Sequence, residues 1–311
     1  MSAWGGPTEP LAVAGTTTRL CAAGPADARE AVVFVHGNPG SADDWAPLVA
    51  AVGGSGRRAV AFDLPDFGET AAPAGFAHTV DGYARFLAAA LDALAIERVH
   101  LVLHDFGGPI GLTWLAAHVE RVASVTLIDT GAMEGYRWHR LARIWRTPLL
   151  GELFQATTTR AGFRWVINRG EPRGLPDAFL ETTWSHIDAR TKRAILKLYR
   201  ATDDPGRGVA ELAALLAPRE LPALVIWGEH DIYLSSEMAD RQREILPLAD
   251  VHVLPASGHW PFADAPETVR RLLLEHLDGA WPLTAPERAP AEGGAADAAA
   301  EPAPARPSAS S

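Results

Sequence analysis

The chain has 311 residues, nearly half of them hydrophobic, and a formal net charge of −10. Lys192 and Lys197 are its only lysines, so it offers no basic surface for nucleic acid or for an anionic membrane. The single cysteine, Cys21, excludes an internal disulfide, argues against a thiolate zinc site and fits a reducing compartment.

The first residues, 1–10, lack a basic region followed by an apolar stretch, and so do not resemble a signal peptide. The longest uncharged run, Phe106 to Val119, is too short to cross a bilayer. We therefore expect a cytoplasmic protein without a membrane helix.

Apolar, strand-like runs alternate with helical patterns along most of the chain, which predicts a mostly parallel sheet covered by helices on both faces. Residues 11–23 predict an additional antiparallel hairpin at the start. The predicted strands are 31–35, 58–62, 98–103, 122–128, 222–227 and 250–254, and the predicted helices are 44–53, 80–95, 107–119, 236–246 and 265–277.

A long segment between Asp129 and Leu221 is helical in character, rich in Arg and Trp, and broken by Gly and Pro. It predicts a helical cap inserted after the sixth strand. After Trp281 the chain is rich in Ala and Pro, with too little apolar surface to offset the entropy of ordering. The predicted division is an α/β core over 11–130 and 219–280, a cap over 131–218 and a disordered tail over 282–311.

The segment Leu103-His104-Asp105-Phe106-Gly107-Gly108 lies between a predicted strand and a predicted helix. A sharp strand–turn–helix junction is the context of a nucleophile elbow, which lifts one side chain above the edge of the sheet. Asp105 occupies that position, where serine is usual.

Three further motifs accompany the elbow: His36-Gly37-Asn38-Pro39-Gly40 before it, and Gly228-Glu229-His230-Asp231 and Ser257-Gly258-His259-Trp260 after it. Nucleophile, acid and histidine follow in the chain order of an α/β-hydrolase. The sequence resembles the aspartate-nucleophile branch of that superfamily, which includes haloalkane dehalogenases and epoxide hydrolases. The resemblance covers roughly residues 13–279.

A carboxylate nucleophile selects the substrate class. Serine attacking an sp3 carbon would leave an ether, whereas Asp105 leaves an ester that activated water can open. We expect His259 to deprotonate that water, and a second carboxylate to stabilise the imidazolium. The family resemblance implies that the backbone N–H groups of Asn38 and Phe106 form the oxyanion hole.

Two carboxylates are candidates for the acid of this triad. Asp231 follows a predicted strand in the usual position, whereas Asp129 ends the preceding strand, where other members of the branch place theirs. We favour Asp231, and interpret Asp129 as a helix cap or a hinge residue. No His, Asp or Glu set has the spacing of a metal site, and we expect no cofactor.

The leaving group is less clearly indicated. His36-Gly37-Asn38-Pro39 resembles dehalogenases, in which the asparagine amide helps to bind halide, but Phe106 stands where many dehalogenases place a tryptophan that donates to the halide. A tryptophan of the predicted cap is a candidate substitute for that donor. The candidates are Trp138, Trp145, Trp165 and Trp184.

Epoxide hydrolases use cap tyrosines to donate to the epoxide oxygen, and Tyr199 resembles one of these, with Tyr136 as a weaker second. Fluoroacetate dehalogenases are disfavoured because they place an arginine after the nucleophile, where this chain has Phe106. An ester or lactone hydrolase and a non-catalytic ligand-binding protein are the remaining alternatives.

The sequence therefore predicts a cap-bearing α/β-hydrolase, dehalogenase-like in preference to an epoxide hydrolase. Its expected reactants are a small apolar organic molecule and water. We expect no nucleic-acid or membrane partner, and a monomer or homodimer.

Overall fold

A computed structural model of the protein describes residues 4–132 and 134–281. The predicted tail over 282–311 lies outside the described residues. The described part of the chain contains an eight-stranded sheet in the order β1-β2-β4-β3-β5-β6-β7-β8. The strands are β1 (Glu9–Val13), β2 (Thr16–Ala23), β3 (Glu30–Val35), β4 (Arg58–Phe62), β5 (Arg98–His104), β6 (Val122–Ile128), β7 (Ala223–Gly228) and β8 (Ala249–Leu254).

The sheet is antiparallel only at its start. β1 pairs with β2 and β2 with β4 in antiparallel register, while β3 pairs in parallel with β4 and β5, and the remaining strands follow in parallel. The predicted hairpin and the predicted parallel sheet are both confirmed. The carboxyl ends of β5, β6 and β7 consequently meet at one edge, where open α/β sheets bind their ligands.

Alternation along the strands divides the core into two layers. On β3, Val33 packs in one apolar cluster with α2 and α3, whereas Val32 and Phe34 pack in a second cluster with α1 and α12. Strand side chains point alternately to opposite faces, so both faces of the sheet are covered by helices. These core helices are α1 (Ala46–Gly54), α2 (Val80–Ala93), α3 (Gly107–Ala117), α10 (Met238–Arg241), α11 (Pro261–Asp264) and α12 (Pro266–Ala280).

The predicted helix over 236–246 is shorter in the structure, because its α-helical part ends at Arg241 and a 3-10 turn over Gln242–Glu244 continues it.

A helical insertion follows β6, as predicted. Its longest helix, α8, has a strongly apolar face, and Ile195, Leu198 and Tyr199 on it are buried. Among the described residues, no helix combines the length and the apolar character needed to cross a membrane. The helices of the insertion are α4 (Arg140–Arg146), α5 (Leu150–Thr157), α6 (Arg160–Ile167), α7 (Asp177–Ser185), α8 (Ala189–Ala201) and α9 (Val209–Leu216).

Candidate active site

The junction between β5 and α3 forms the predicted elbow. Asp105 has a φ of 48°, a left-handed conformation that is rare for non-glycine residues and is found at functional turns. A Cβ on Gly107 would lie 2.2 Å from the carbonyl oxygen of Val35, so only glycine lets the helix begin this close to β3. Thr130 donates to the carbonyl of Asp105 at 2.6 Å and supports the turn from β6.

The Asp105 carboxylate is held by the loop after β3. The backbone N–H of Asn38 donates to Oδ1 of Asp105 at 2.7 Å. Burial on its own would raise the pKa of Asp105, but the hydrogen bond and charge of His259, with further help from the Phe106 N–H, hold that pKa below its ordinary value. Asp105 is therefore ionised at neutral pH, with Asn38 and Phe106 as donors to it.

His259 lies between two carboxylates. Its Nε2 atom is 3.6 Å from Oδ2 of Asp105, and its Nδ1–H donates to Oδ2 of Asp231 at 2.7 Å. Burial would lower the pKa of His259, but the charges and hydrogen bonds of Asp231 and Asp105 raise it well above the ordinary value. The arrangement is that of a nucleophile, a base and an orienting acid.

Asp231 is fixed by its own loop. Its Oδ1 accepts hydrogen bonds from the backbone N–H groups of Tyr233 at 2.7 Å and Leu234 at 3.0 Å, and its side chain has no exposed surface. Since both oxygens are occupied, one by the loop and one by His259, the carboxylate has a single orientation.

Asp129 lies beside Asp231 and His259, but its carboxyl group is bound to the main chain rather than to the imidazole. Its Oδ1 accepts from the N–H of Gly228 at 2.9 Å, which ties the end of β6 to the end of β7, and its buried Oδ2 has no hydrogen-bond partner. Burial and the charge of Asp231 raise the pKa of Asp129 well above its ordinary value. The interpretation of Asp129 as a helix cap was wrong, because its carboxyl accepts from the end of β7, and its role as a hinge residue stays a prediction.

Ligand atoms of Asp129, Asp231 and His259 lie within 4.8 Å of one another, a spacing compatible with a bound cation. The contacts argue for proton chemistry, because His259 and Asp231 are joined by a direct hydrogen bond of 2.7 Å, and the loop N–H groups already occupy the other Asp231 oxygen.

Two cavities open onto Asp105. Both are lined by Asp105, His139, Tyr199 and Tyr233. One, of about 30 Å³, also contacts Asn38, Trp145 and His259, and the other, of about 50 Å³, also contacts Phe106, Tyr136 and Trp138. The helical insertion thus closes the site above the elbow with aromatic side chains.

The predicted tyrosines occupy different environments. Tyr199 is buried, and burial, followed by the charge of Asp105, raises its pKa well above the ordinary value, so its phenol stays neutral. Its ring contacts Phe106 at 4.9 Å edge to face. The hydroxyl of Tyr136 donates to the carbonyl of Tyr233 at 3.3 Å, and is therefore already engaged.

Several buried donors at the site lack a partner. The side-chain amide of Asn38 has no partner at full hydrogen-bonding distance, although it lies near the phenol of Tyr199 and acts to lower its pKa, and the indole N–H groups of Trp138 and Trp145 have no partner. Asn38 and Trp145 line the same cavity as Asp105 and His259. Buried donors without partners are costly in a folded protein, and such groups at a cavity wall are available to a ligand.

The model of a family described as "alpha/beta hydrolase fold" matches residues 30–266. The chain belongs to the α/β-hydrolase family.

Individual relatives differ in what they act on. The hydrolase is 27% identical over 261 residues to a 2-hydroxy-6-oxononadienedioate/2-hydroxy-6-oxononatrienedioate hydrolase from Burkholderia vietnamiensis, which covers 80% of this chain and 87% of that protein. Its fold resembles a haloalkane dehalogenase from Bradyrhizobium elkani (TM-score 0.73, 24% identity, 88% of this chain and 98% of that one). It also resembles an epoxide hydrolase from Vigna radiata (TM-score 0.71, 19% identity, 88% and 98%). These likenesses show the fold.

Sequence reasoning missed several residues at the site of this hydrolase. The ring of Tyr233 lies 5.0 Å from that of His259. Because Tyr233 follows the candidate acid Asp231 by two positions, its place at the site could have been predicted from the sequence. His139 enters from the insertion, where no motif fixes the packing. Of the four candidate tryptophans, Trp145 lines one of the cavities at Asp105 and Trp138 lines the other. Trp165 is 66% exposed and Trp184 packs on Phe163, so neither lines the cavities at Asp105.

Proposed function

We propose that this hydrolase acts through a covalent ester on Asp105 and is a haloalkane dehalogenase. The observation that carries the proposal is an ionised elbow carboxylate in one cavity with two unpartnered buried donors, Asn38 and Trp145. A leaving halide needs N–H donors where its charge develops.

In the first step an oxygen of Asp105 attacks the sp3 carbon and the carbon–halogen bond breaks, so the halide leaves with the bonding electron pair. Oδ1 is bound by the Asn38 N–H, so Oδ2 is the attacking atom in this geometry. The side-chain amide of Asn38 and the indole of Trp145 would receive the halide, with Trp145 supplying the donor that Phe106 does not.

In the second step His259 takes a proton from water, and the resulting hydroxide attacks the ester carbonyl carbon of Asp105. The Asn38 and Phe106 N–H groups stabilise the oxyanion, and Asp231 stabilises the imidazolium. The tetrahedral intermediate then expels the alkoxide, which takes the proton from His259, so that an alcohol leaves and the Asp105 carboxylate is restored.

The surroundings of Asp105 favour an uncharged substrate. In the part of the chain that the structure describes, neither cavity at Asp105 is lined by Lys or Arg. A third, almost wholly apolar cavity of about 280 Å³ within the insertion shares Pro39, Leu141, Trp145 and Ile167 with the site. A dienedioate, named for the Burkholderia relative, would bury two carboxylates here without a cationic partner.

An epoxide hydrolase is the second candidate, supported by the buried neutral phenol of Tyr199 beside Asp105. Opening an epoxide requires a proton donor at the ring oxygen, which a phenol supplies and an anion-binding amide does not.

A paired screen separates these functions: halide release from uncharged 1-haloalkanes, and diol formation from terminal epoxides of the same chain length. The proposal expects halide release at a higher kcat/KM than diol formation. Diol formation without halide release would show that the protein is an epoxide hydrolase instead. Activity only on carboxylate-bearing esters or diketones would refute both the dehalogenase and the epoxide hydrolase functions.

A further inference from the structure

An acidic pair, one member buried and the other half-buried, lies outside both cavities at Asp105 and contacts the turn of the candidate base. Glu171, in the loop between α6 and α7 of the insertion, is only 7% exposed. Its Oε1 accepts a hydrogen bond from the backbone N–H of His259 at 2.8 Å. The insertion therefore holds the main chain of His259, while Asp231 holds its side chain.

The second member of the pair is Asp264, at the end of α11. Its Oδ2 accepts from the N–H of Gly258 at 2.9 Å, and its Oδ1 from the hydroxyl of Ser257 at 2.5 Å. Two carboxyl groups from separate segments thus hold three consecutive residues of the turn that carries His259. Leu254 is the last residue of β8 paired with β7, so the turn lies beyond the sheet.

Glycine at 258 is a requirement of this arrangement. A Cβ at Gly258 would lie 2.4 Å from Oε2 of Glu171 and 2.5 Å from the carbonyl oxygen of Gly170. The glycine of the Ser-Gly-His motif therefore gives the insertion close access to the histidine turn.

The contacts of Glu171 favour a protonated acid. Its Oε2 is buried and accepts from no N–H or O–H donor, a costly state for a carboxylate, and its carboxyl group shares a side-chain hydrogen bond with Asp264 that favours a proton between them. Burial, reinforced by the neighbouring Asp264, raises the pKa of Glu171 to about 8. The other titratable groups that face it are His259 and Tyr233, from the loops after β8 and β7.

We propose that Glu171 is a positioning residue. In its neutral form it fixes the backbone of His259 from the insertion. Loss of its proton leaves a charged carboxylate beside Asp264 and loosens the turn that carries His259. The inference rests on the proposed role of His259 as the base in ester hydrolysis. Glu171 touches no reacting atom, so it acts through His259 alone.

Glutamine tests this directly, because its amide keeps the acceptor for the His259 N–H and cannot ionise. Glu171→Gln should retain kcat within about twofold at pH 7, whereas Glu171→Leu, which has no acceptor, should lower kcat on the order of 10²-fold with little change in KM, since small misplacements of catalytic groups are costly. Glu181→Gln is the matched control, because Glu181 pairs with Arg160 on the outside of the insertion.

The pH profile supplies a readout that a purely structural role would not move. The kcat of the wild type should fall as the pH rises through about 8, and that of Glu171→Gln should not. Equal alkaline loss in both proteins, or a Glu171→Gln variant as impaired at pH 7 as Glu171→Leu, would overturn the inference.

A measurement without substrate separates this inference from the proposed function. In protein labelled with ¹⁵N-histidine, the His259 amide signal, assigned by its absence in His259→Gln, should shift with a midpoint near pH 8 in the wild type and stay constant in Glu171→Gln. A His259 amide that titrates this way in a protein forming no ester would leave the positioning role standing and refute the proposed reaction. An amide that does not titrate would refute the positioning role.

Discussion

The imidazole of His259 donates from Nδ1 to Asp231 at 2.7 Å, and the other oxygen of Asp231 is held by backbone N–H groups of its own loop. Asp129, the competing carboxylate, is instead bound to the N–H of Gly228 and has a raised pKa. The two acids that sequence reasoning left as alternatives therefore differ in their contacts.

Asparagine replacements should distinguish them. Asp231→Asn should lower kcat on the order of 10⁴-fold, because an amide cannot stabilise the imidazolium and favours the wrong tautomer. Asp129→Asn should cost no more than a few-fold, since a protonated acid and an amide both leave the Gly228 N–H with an acceptor oxygen. Rapid-quench measurement of ester formation and decay compares the two variants.

Thermal melts exclude misfolding as the cause in either variant. The assignment of the acid would be wrong if Asp129→Asn accumulated ester while Asp231→Asn turned over at the wild-type rate.

Halide binding should depend on the unpartnered donors. Asn38→Ala retains its backbone N–H but loses the amide, and Trp145→Phe loses only the indole donor, so each should slow halide release on the order of 10²-fold. Trp165→Phe is the matched control, because Trp165 is largely exposed and does not line the cavity at Asp105. Stopped-flow halide detection measures the effect.

Tyr199→Phe distinguishes the alternatives in the same assay. If it abolished diol formation from epoxides while Asn38→Ala left halide release intact, the dehalogenase proposal would lose to the epoxide hydrolase.

The two chemical steps should respond differently to acid. Ester formation needs the Asp105 carboxylate, whose pKa is held low, so it should persist as the pH falls. Ester hydrolysis needs neutral His259. Alkylation removes the negative charge of Asp105, one of the causes that raise the pKa of His259, so the base is freed once the ester has formed.

Hydrolysis should still slow as the pH falls through the pKa of His259 in the alkyl-enzyme, and ester should accumulate in the wild type at low pH. Single-turnover experiments between pH 5 and 7, below the range in which Glu171 loses its proton, test the sign. Ester that decayed faster, rather than more slowly, as the pH fell over this range would contradict the assignment of His259 as the base.

The apolar cavity of the insertion should favour longer uncharged substrates. Each added methylene that leaves water should raise kcat/KM about fourfold until the cavity is filled. Ile187 lines this cavity but not those at Asp105, so Ile187→Trp should flatten the dependence on chain length and leave the shortest substrate unaffected. A series of 1-haloalkanes measures it, and unchanged length dependence would contradict the use of the cavity.

The α/β core could be predicted from the sequence because each of its motifs depends on residues that are close together in the chain. The strand runs, the elbow at Asp105 and the turn of His259 each depend on residues close by in the sequence. Gly107 is an example, because the absence of a side chain there lets α3 start beside β3. Parallel strands bring their carboxyl ends to one edge, so the distance in sequence between Asp105, Asp231 and His259 was no obstacle.

The residues that the insertion contributes to the site could not be predicted in the same way. His139, Trp145 and Glu171 reach the site through helix packing that no periodic pattern specifies, and the acid pair of Glu171 with Asp264 joins segments far apart in sequence. Likewise, the bond between Asp129 and Gly228 depends on the pairing of β6 with β7, so sequence alone suggested a helix cap.

Trapping the covalent intermediate tests the central claim most directly. In His259→Gln the Asp105 carboxylate can still displace a halide, but water is no longer activated, so the ester should persist. Mass spectrometry after incubation with a 1-haloalkane should show one alkyl adduct on the peptide that contains Asp105. His252→Gln, altered on β8 outside the cavities at Asp105, should turn over normally, and His259→Gln combined with Asp105→Asn should show no adduct. An adduct on another residue, or none with a haloalkane that the wild type consumes, would contradict the account.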